Sequence, residues 1–340
     1  MVFEKGDCKM IIKIKIISLV FALFSISMAG TGAAVGTASG TQLLIPTGAK
    51  GVALNSTYTA SVNGVDALYY NPAGIAGRVN GVEAQFSSQN YIADISQNYA
   101  AFVSNVGNGT VGLAFNSLDF GNIKKTDAVD THGNSGKTYS PNFSVLTLSY
   151  AKSFSDRIRF GSSLKVVSEA VEETGGMALA LDMGVQYSHA SMPLKLGVSL
   201  RNLGSKMEYT GVNLETNNST LLTQAANIPA NLNISTSYKL GSVNLHYSFT
   251  NHSYSFNESA FGLEYSMELG NYSFWLGGGM NSLLVEEDNL DEMYTDNPFG
   301  ASLGAGMSTK LGNFSFGLDF GMRQSEQFGE TSVLAFNVGF

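Results

Sequence analysis

Side chains that could catalyse a reaction or bind a metal are few and scattered in this 340-residue sequence. The four histidines, at positions 132, 189, 246 and 252, do not have the spacing of metal ligands on one element. The sequence contains no Gly-x-Ser-x-Gly motif, no phosphate-binding loop and no dinucleotide fingerprint. We therefore predict no catalytic residues, no metal site and no cofactor, and we do not expect an enzyme.

Charged residues in the segments of alternating polar and apolar side chains form a candidate site. They lie in segments where polar and apolar side chains alternate, and they fall on the polar faces. Two interpretations are open: the charges bind a transported solute, or they are the mixed-charge lining that a wide β-barrel needs. The residues are Arg159, Lys165, Asp182, Lys195, Arg201, Glu264 and Asp319.

Strict alternation predicts the elements that hold these charges. In residues 176–188, GMALALDMGVQYS, every second side chain from Met177 to Tyr187 is large and mostly apolar, and Asp182 lies on the opposite face. A period of two is typical of β-strands with one face in an apolar environment. The pattern recurs fourteen times between residues 79 and 340, the first time at 79–88.

The connections between the predicted strands alternate between short and long. Gly241, Gly270 and Gly312 each form a short one, whereas 121–140 and 169–175 are long. Bacterial outer-membrane barrels show this asymmetry. A soluble β-sandwich is the alternative, but it would not explain the alternation or a charged fraction of only 14%, against roughly 25% in an average soluble domain. We predict an all-β fold, a 14-stranded antiparallel transmembrane β-barrel in contact with the lipid of a bacterial outer membrane.

The first 29 residues have the pattern of a secretory signal peptide. Four lysines precede an apolar core at 16–26, and the small residues at 27–29 match a cleavage site. A membrane anchor is the alternative, but this core is too short to span a bilayer of about 30 Å. Translation starts at Met1 or at Met10, and both starts retain the pattern.

The predicted mature chain is acidic and has no cysteine. Cleavage after Ala29 removes four lysines, two acids and Cys8, which leaves 15 basic and 25 acidic residues and a net charge of −10. This acidity argues against nucleic acid as a partner. An exported chain without disulfides must be stabilised by other means.

The segment 43–77 and two later pieces carry a resemblance to a known family. The segment contains Gly-Ala-Lys at 48–50 and an alanine–aromatic run into Asn-Pro-Ala-Gly at 71–74, and the later pieces are 179–187 and 200–207. In these features the chain resembles the PorV/PorQ family of outer-membrane barrels, which is similar in fold to the FadL fatty-acid channels. It departs from the family pattern at Leu54-Asn55-Ser56 and Asn63-Gly64.

The resemblance implies that residues 30–78 fold back into the barrel as a hatch, with the barrel itself at 79–340. The turn Asn71-Pro72-Ala73-Gly74 then packs inside the lumen, which would explain its apolar surroundings. An ordinary periplasmic linker is the alternative, but the length and apolar character of the segment favour the hatch. The side chains expected against the inner wall are Leu68, Tyr69, Tyr70 and Ile75.

Two features of the strands themselves are expected to matter. The glycines Gly277, Gly278 and Gly279 predict a bend in the wall, because residues without side chains weaken strand pairing and admit a bulge. Alternation continues to the last residue, and outer-membrane barrels that this chain resembles end in an aromatic residue read by the barrel-assembly machinery. The expected insertion signal is Phe336, Val338 and Phe340.

The resemblance implies two functions of different classes. A PorV/PorQ-type protein would be an accessory of protein secretion or surface attachment, binding secreted proteins or secretion-system components through its loops and hatch. A FadL-like channel would instead carry small hydrophobic molecules. The PorV/PorQ resemblance is the closer one, so the secretion role is the main expectation and the channel is the alternative.

Overall fold

Fourteen antiparallel strands form most of the structure, a computed structural model that describes residues 34–77, 81–126, 128–211, 215–216, 219–220, 225–284, 298–325 and 327–340. The predicted signal peptide, residues 1–29, lies outside the described residues. The strands are β1 Val82–Asn90, β2 Ser96–Val106, β3 Gly109–Asp119, β4 Asn142–Ser153, β5 Ile158–Val171, β6 Thr174–Ser188, β7 Leu194–Gly204, β8 Asn231–Leu240, β9 Val243–His252, β10 Asn257–Leu269, β11 Tyr272–Leu284, β12 Ser302–Leu311, β13 Phe314–Ser325 and β14 Gly329–Gly339.

The strands close into a barrel. β1 pairs with β14, from Glu83 opposite Gly339 to Asn90 opposite Ser332, and all other neighbouring strands are consecutive in the chain. Closure pairs the backbone groups of every strand, which an open sheet in hydrocarbon cannot do. The prediction of a 14-stranded antiparallel barrel is confirmed. The largest errors in the predicted strand ends are three residues, as at the start of β1, with 79 predicted and 82 observed.

The tight turns after β2, β8, β10 and β12 lie at one end of the barrel, hereafter the short-turn end, and the opposite end is the long-loop end. Glycine shapes several of the tight turns. Four connections at this end are two-residue turns whose first residue is a glycine with φ between 58° and 63°, a region that side chains disfavour. The second turn residue has no positive φ, which is the pattern of a type II′ hairpin turn. These glycines are Gly107, Gly241, Gly270 and Gly312.

The long-loop end differs from the prediction in one place. The connection expected at 169–175 is instead the two-residue turn Glu172–Glu173, because β5 continues to Val171 and β6 begins at Thr174. Parts of the long connections at 204–228 and 282–298 lie outside the described residues. The short strands at this end are Glu208–Gly211, which pairs with β6, and the pairs Ile123–Lys124 with Thr138–Tyr139 and Glu215–Thr216 with Ser219–Thr220.

Apolar side chains face out of the barrel and polar ones face in. On β3, Leu113 and Phe115 are each 48% exposed, whereas Ala114 between them is only 4% exposed. On β1, the inward-facing Gln85 and Gln89 are buried. This is the reverse of a soluble protein and is typical of a barrel that crosses a membrane. Among the described residues, no helix is long and apolar enough to span a bilayer.

Residues 34–77, hereafter the hatch, occupy the lumen. The hatch begins at the long-loop end, where the Gly40 N–H donates to Glu169 Oε1 at 2.9 Å. It ends with Gly77 against the guanidinium of Arg159, which is the second residue of β5 and lies at the short-turn end. The hatch therefore runs through the barrel from one end to the other. Its elements are the helices α1 Ala49–Ala53 and α2 Ala67–Tyr70 and the 3-10 turns Thr41–Leu44, Thr57–Ala60, Gly64–Asp66 and Pro72–Gly77.

Candidate functional site

The turn at 71–74 lies fully buried between the hatch and the wall. The Asn71 Oδ1 accepts a hydrogen bond from the Ala73 N–H at 3.1 Å, which holds the turn. The Asn71 Nδ2 donates to the carbonyl oxygen of Thr59 in the hatch and to that of Val185 in β6, each at 3.3 Å. One amide side chain therefore fixes the shape of the turn and ties it to the barrel.

The turn touches the wall where the wall has no side chains. A Cβ atom at Gly161 of β5 would overlap the carbonyl group of Pro72, and one at Gly184 of β6 would overlap the Asn71 Oδ1. Gly74 does not have a positive φ. It is needed for space, since a Cβ atom there would overlap the carbonyl oxygen of Val62.

The side chains expected against the inner wall divide into two groups. Leu68 packs over Gly112 of β3, and it belongs with Ile75 to a buried cluster that includes small wall residues. Tyr70 belongs to the same cluster, and its hydroxyl also donates to the carbonyl oxygen of Thr47 in the hatch at 2.8 Å. The aliphatic side chains therefore only pack, whereas Tyr70 also holds the hatch together by a hydrogen bond.

Tyr69 of the hatch contacts both the rest of the hatch and the wall. Its hydroxyl donates to the carbonyl oxygen of Leu43 at 3.1 Å. The Arg201 guanidinium of β7 lies 5.1 Å from the centre of its ring, at the distance of a cation–π contact. Burial raises the pKa of the hydroxyls of Tyr58, Tyr69 and Tyr70, so all three stay neutral donors at physiological pH.

Wall glycines surround the hatch. At each of nine inward-facing glycines, a Cβ atom would meet an atom of the hatch at less than ordinary contact distance. At Gly321 the obstacle is the carbonyl oxygen of Ala49, a backbone atom that cannot turn away. Glycine in a strand interior marks such a close backbone approach. The nine are Gly112, Gly161, Gly184, Gly197, Gly262, Gly277, Gly279, Gly304 and Gly321.

Five of the seven charged residues predicted to face the lumen have polar partners. Lys165 pairs with Asp182 at 2.5 Å, and Glu264 pairs with Lys50 of the hatch at 2.8 Å. Asp319 accepts from Trp275 Nε1 and Asn337 Nδ2, each at 2.7 Å, and Arg201 Nε donates to Asn231 Oδ1 at 3.1 Å. These five fit a mixed-charge lining. Arg159 and Lys195 have no ion pair among the described residues.

The bend expected at Gly277, Gly278 and Gly279 is absent. All three residues pair with β10 on one side and β12 on the other, without a register shift. The glycines instead leave room for neighbouring side chains. Gly277 and Gly279 face Leu54 of the hatch, and Gly278 faces outward beside Leu303. At this place the wall between hatch and exterior is only a backbone thick.

An apolar groove of about 960 Å³ lies on the outer face over these glycines. Tyr247 of β9 faces outward and is nevertheless only 8% exposed, with its ring 4.8 Å from that of Phe261. No sequence pattern indicates the groove, because residues of six neighbouring strands, β7 to β12, line it together. Its lining includes Tyr247, Phe261, Leu263, Leu276, Met280 and Leu303.

The predicted insertion signal lies at the closing seam of the barrel. Phe336 and Phe340 face outward and are 47% and 53% exposed, and Val338 is half-buried. The Phe340 N–H donates to the Val82 carbonyl at 2.9 Å, and the Val82 N–H donates back at 2.6 Å. The last residue is therefore part of the β1–β14 pairing, and its reading by the assembly machinery stays a prediction.

No protein-family model matches the chain, and no curated protein matches it either. The resemblance to the PorV/PorQ family is therefore not confirmed. Solved structures do match the fold over most of the chain.

The toluene transporter TodX of Pseudomonas putida matches with a TM-score of 0.55 and 9% identity, over 86% of this chain and 96% of that one. A FadL homologue of Pseudomonas aeruginosa matches with a TM-score of 0.54 and 12% identity, over 87% and 98%. The monoaromatic hydrocarbon channel CymD matches with a TM-score of 0.54 and 12% identity, over 90% and 98%. The chain thus has a FadL-like fold, a 14-stranded barrel with an N-terminal helical segment.

Proposed function

We propose that this protein is an outer-membrane channel for small hydrophobic compounds. The observation that carries the proposal is the apolar groove on the outer face. Its floor includes Gly278, and the backbone of Gly277–Gly279 alone separates it from Leu54 of the hatch. In the membrane this groove faces lipid, so an apolar solute that leaves the lumen through the wall at this place enters apolar surroundings.

The hatch supports a hydrophobic solute over a hydrophilic one. Leu54, Leu68 and Ile75 are each at most 1% exposed inside the lumen, and the hatch runs the length of the barrel. A general porin for hydrophilic solutes needs a water-filled lumen. A channel for apolar solutes does not need a water-filled lumen, because such solutes can move through the barrel wall between the region of the hatch and the lipid outside.

The outer membrane is the proposed location. The outer face is a belt of exposed apolar side chains, which only lipid covers favourably. The predicted signal peptide supports export, and the barrel-assembly machinery would then act on the C-terminal strand.

The names of the structural neighbours support the same solute class. TodX is a toluene transporter and CymD is a monoaromatic hydrocarbon channel. Identities of 9% and 12% do not transfer the solute itself. The secretion role, the main expectation from the sequence, rests on the PorV/PorQ resemblance alone, so the channel is the better supported of the two.

Uptake measurements test the proposal. Bacteria that lack the protein should take up toluene more slowly than bacteria that produce it. Leu276→Trp fills the groove and should lower uptake, whereas Leu334→Trp adds the same side chain to the outward face of β14, away from the groove. Equal uptake with and without the protein, together with loss of exported proteins from the cell surface, would favour the secretion role.

A further inference from the structure

A polar cavity of about 260 Å³ lies between the hatch and the wall on the opposite face of the wall from the groove. The wall part of its lining comes from the short-turn ends of β7, β8, β9 and β10. The charged residues that line it are Lys50 and Asp66 from the hatch and Lys195, Lys239 and Glu264 from the wall.

Both acids of the cavity are already engaged. Glu264 pairs with Lys50 at 2.8 Å. Asp66 accepts hydrogen bonds from Gln85 Nε2 at 2.8 Å and from the Tyr58 hydroxyl at 3.1 Å. Burial raises the pKa of Asp66, and these hydrogen bonds oppose the shift. Glu264 is therefore balanced by Lys50, and Asp66 is held by neutral donors and not by Lys195 or Lys239.

Lys195 and Lys239 have no acidic partner among the residues that the structure describes. Lys195 is half-buried and Lys239 is exposed, and both line the same cavity. Like charges that share a site without a counter-ion repel each other. This cluster stands out in a chain whose net charge is −8.

We propose that the cavity binds a small anion through a carboxylate or phosphate group, held by Lys195 and Lys239. Lysine binds such groups as a point charge, and the Asn63 and Asn244 amides of the same lining can add neutral donors. The volume of about 260 Å³ limits the ligand to a small molecule. Because hatch and wall both line the cavity, a bound anion stabilises the docked hatch by mass action.

Calorimetric titration of the purified full-length protein in a neutral detergent tests this inference. Inorganic phosphate and acetate are the two probes, titrated at low ionic strength because salt screens the charges. We expect one binding site. The double variant Lys195→Gln/Lys239→Gln should lose affinity by about tenfold or more, which corresponds to about 1.4 kcal/mol or more, because the anion loses both of its cationic partners.

Lys310→Gln is the matched control, because Lys310 is an exposed lysine near the same end of the barrel on β12, outside this cavity. Its affinity should equal that of the unchanged protein. Binding of phosphate alone, of acetate alone or of both identifies the group that the cavity recognises. No binding of either probe, or equal binding by the double variant in its heat-modifiable folded form, would overturn the inference. The outcome is separate from transport, since no solute crosses a membrane in this measurement.

Discussion

At the residue scale, Asn71 shows why a turn sequence lies in an apolar neighbourhood. Its side chain is fully buried, and it makes hydrogen bonds within the turn, to the rest of the hatch and to β6. A buried amide is tolerated only when its donors and acceptors are paired. The sequence predicted that the turn packs inside, but it could not show that Val185, 114 residues later, accepts the bond.

Replacing Asn71 by alanine should destabilise the protein. The Ala73 N–H then loses its partner in a buried place, and such losses cost about 1–3 kcal/mol. Urea unfolding in lipid vesicles, followed by Trp275 fluorescence, measures the change in the free energy of unfolding. Asn313→Ala, in an exposed turn at the short-turn end, should have almost no effect. A similar loss in both variants would contradict a special role for Asn71.

A second prediction at the residue scale concerns Phe340. Its backbone forms two hydrogen bonds with Val82 across the closing seam, and its side chain faces outward. Deleting Phe340 should lower the heat-modifiable, membrane-inserted fraction, because the seam loses these bonds and the predicted insertion signal loses its aromatic end. Phe340→Tyr keeps both and should insert normally. Normal insertion of the deleted chain would show that the C-terminal residue is not read.

At the element scale, the strands could be predicted and their fit to the hatch could not. Alternation is a local pattern, so it identified all fourteen strands, with errors such as the missed extension of β5 to Val171. The hatch has no such period, because its short helices and turns are shaped by the wall. The sequence therefore could not show that the Tyr70 hydroxyl donates to Thr47 inside the hatch, and no sequence pattern indicated the groove over Gly278.

The wall glycines lead to a prediction about the seating of the hatch. A Cβ atom at Gly321 would overlap the carbonyl oxygen of Ala49 in α1. Gly321→Ala should therefore push α1 away from β13 and lower stability by about 1–3 kcal/mol, as overpacking does. Protease digestion of the protein in vesicles should release the hatch faster.

Gly317→Ala is the control for this substitution. Gly317 lies on the same face of β13, four residues earlier, and its closest atom to an added Cβ is the Asn337 Cβ at 3.4 Å. The control should behave like the unchanged protein. Equal resistance of the hatch in both variants would mean that the wall tolerates side chains, and that close approach is not the reason for the glycines.

At the scale of the whole molecule, the barrel and the hatch stabilise each other. The lumen of fourteen strands is wider than that of an eight-stranded barrel, which its own side chains can fill. The hatch fills the lumen of this wider barrel. Four of its apolar side chains are at most 1% exposed: Val52, Leu54, Leu68 and Ile75. Each such side chain contributes about 1.5–3 kcal/mol when it is fully buried. Ion pairs and hydrogen bonds such as Lys50–Glu264 then fix its position.

Removal of residues 31–77 should therefore open the lumen. The strands hold one another through backbone pairing around a closed ring, so the barrel should still insert, which its heat-modifiable migration would show. In planar bilayers the full-length protein should give little or no steady conductance, because the hatch runs from the long-loop end to the short-turn end. The shortened chain should give large, stable channels. Equally large conductance from both proteins would mean that the hatch does not block the lumen in the membrane, and the proposal of a hydrophobic route past a closed lumen would have to be abandoned.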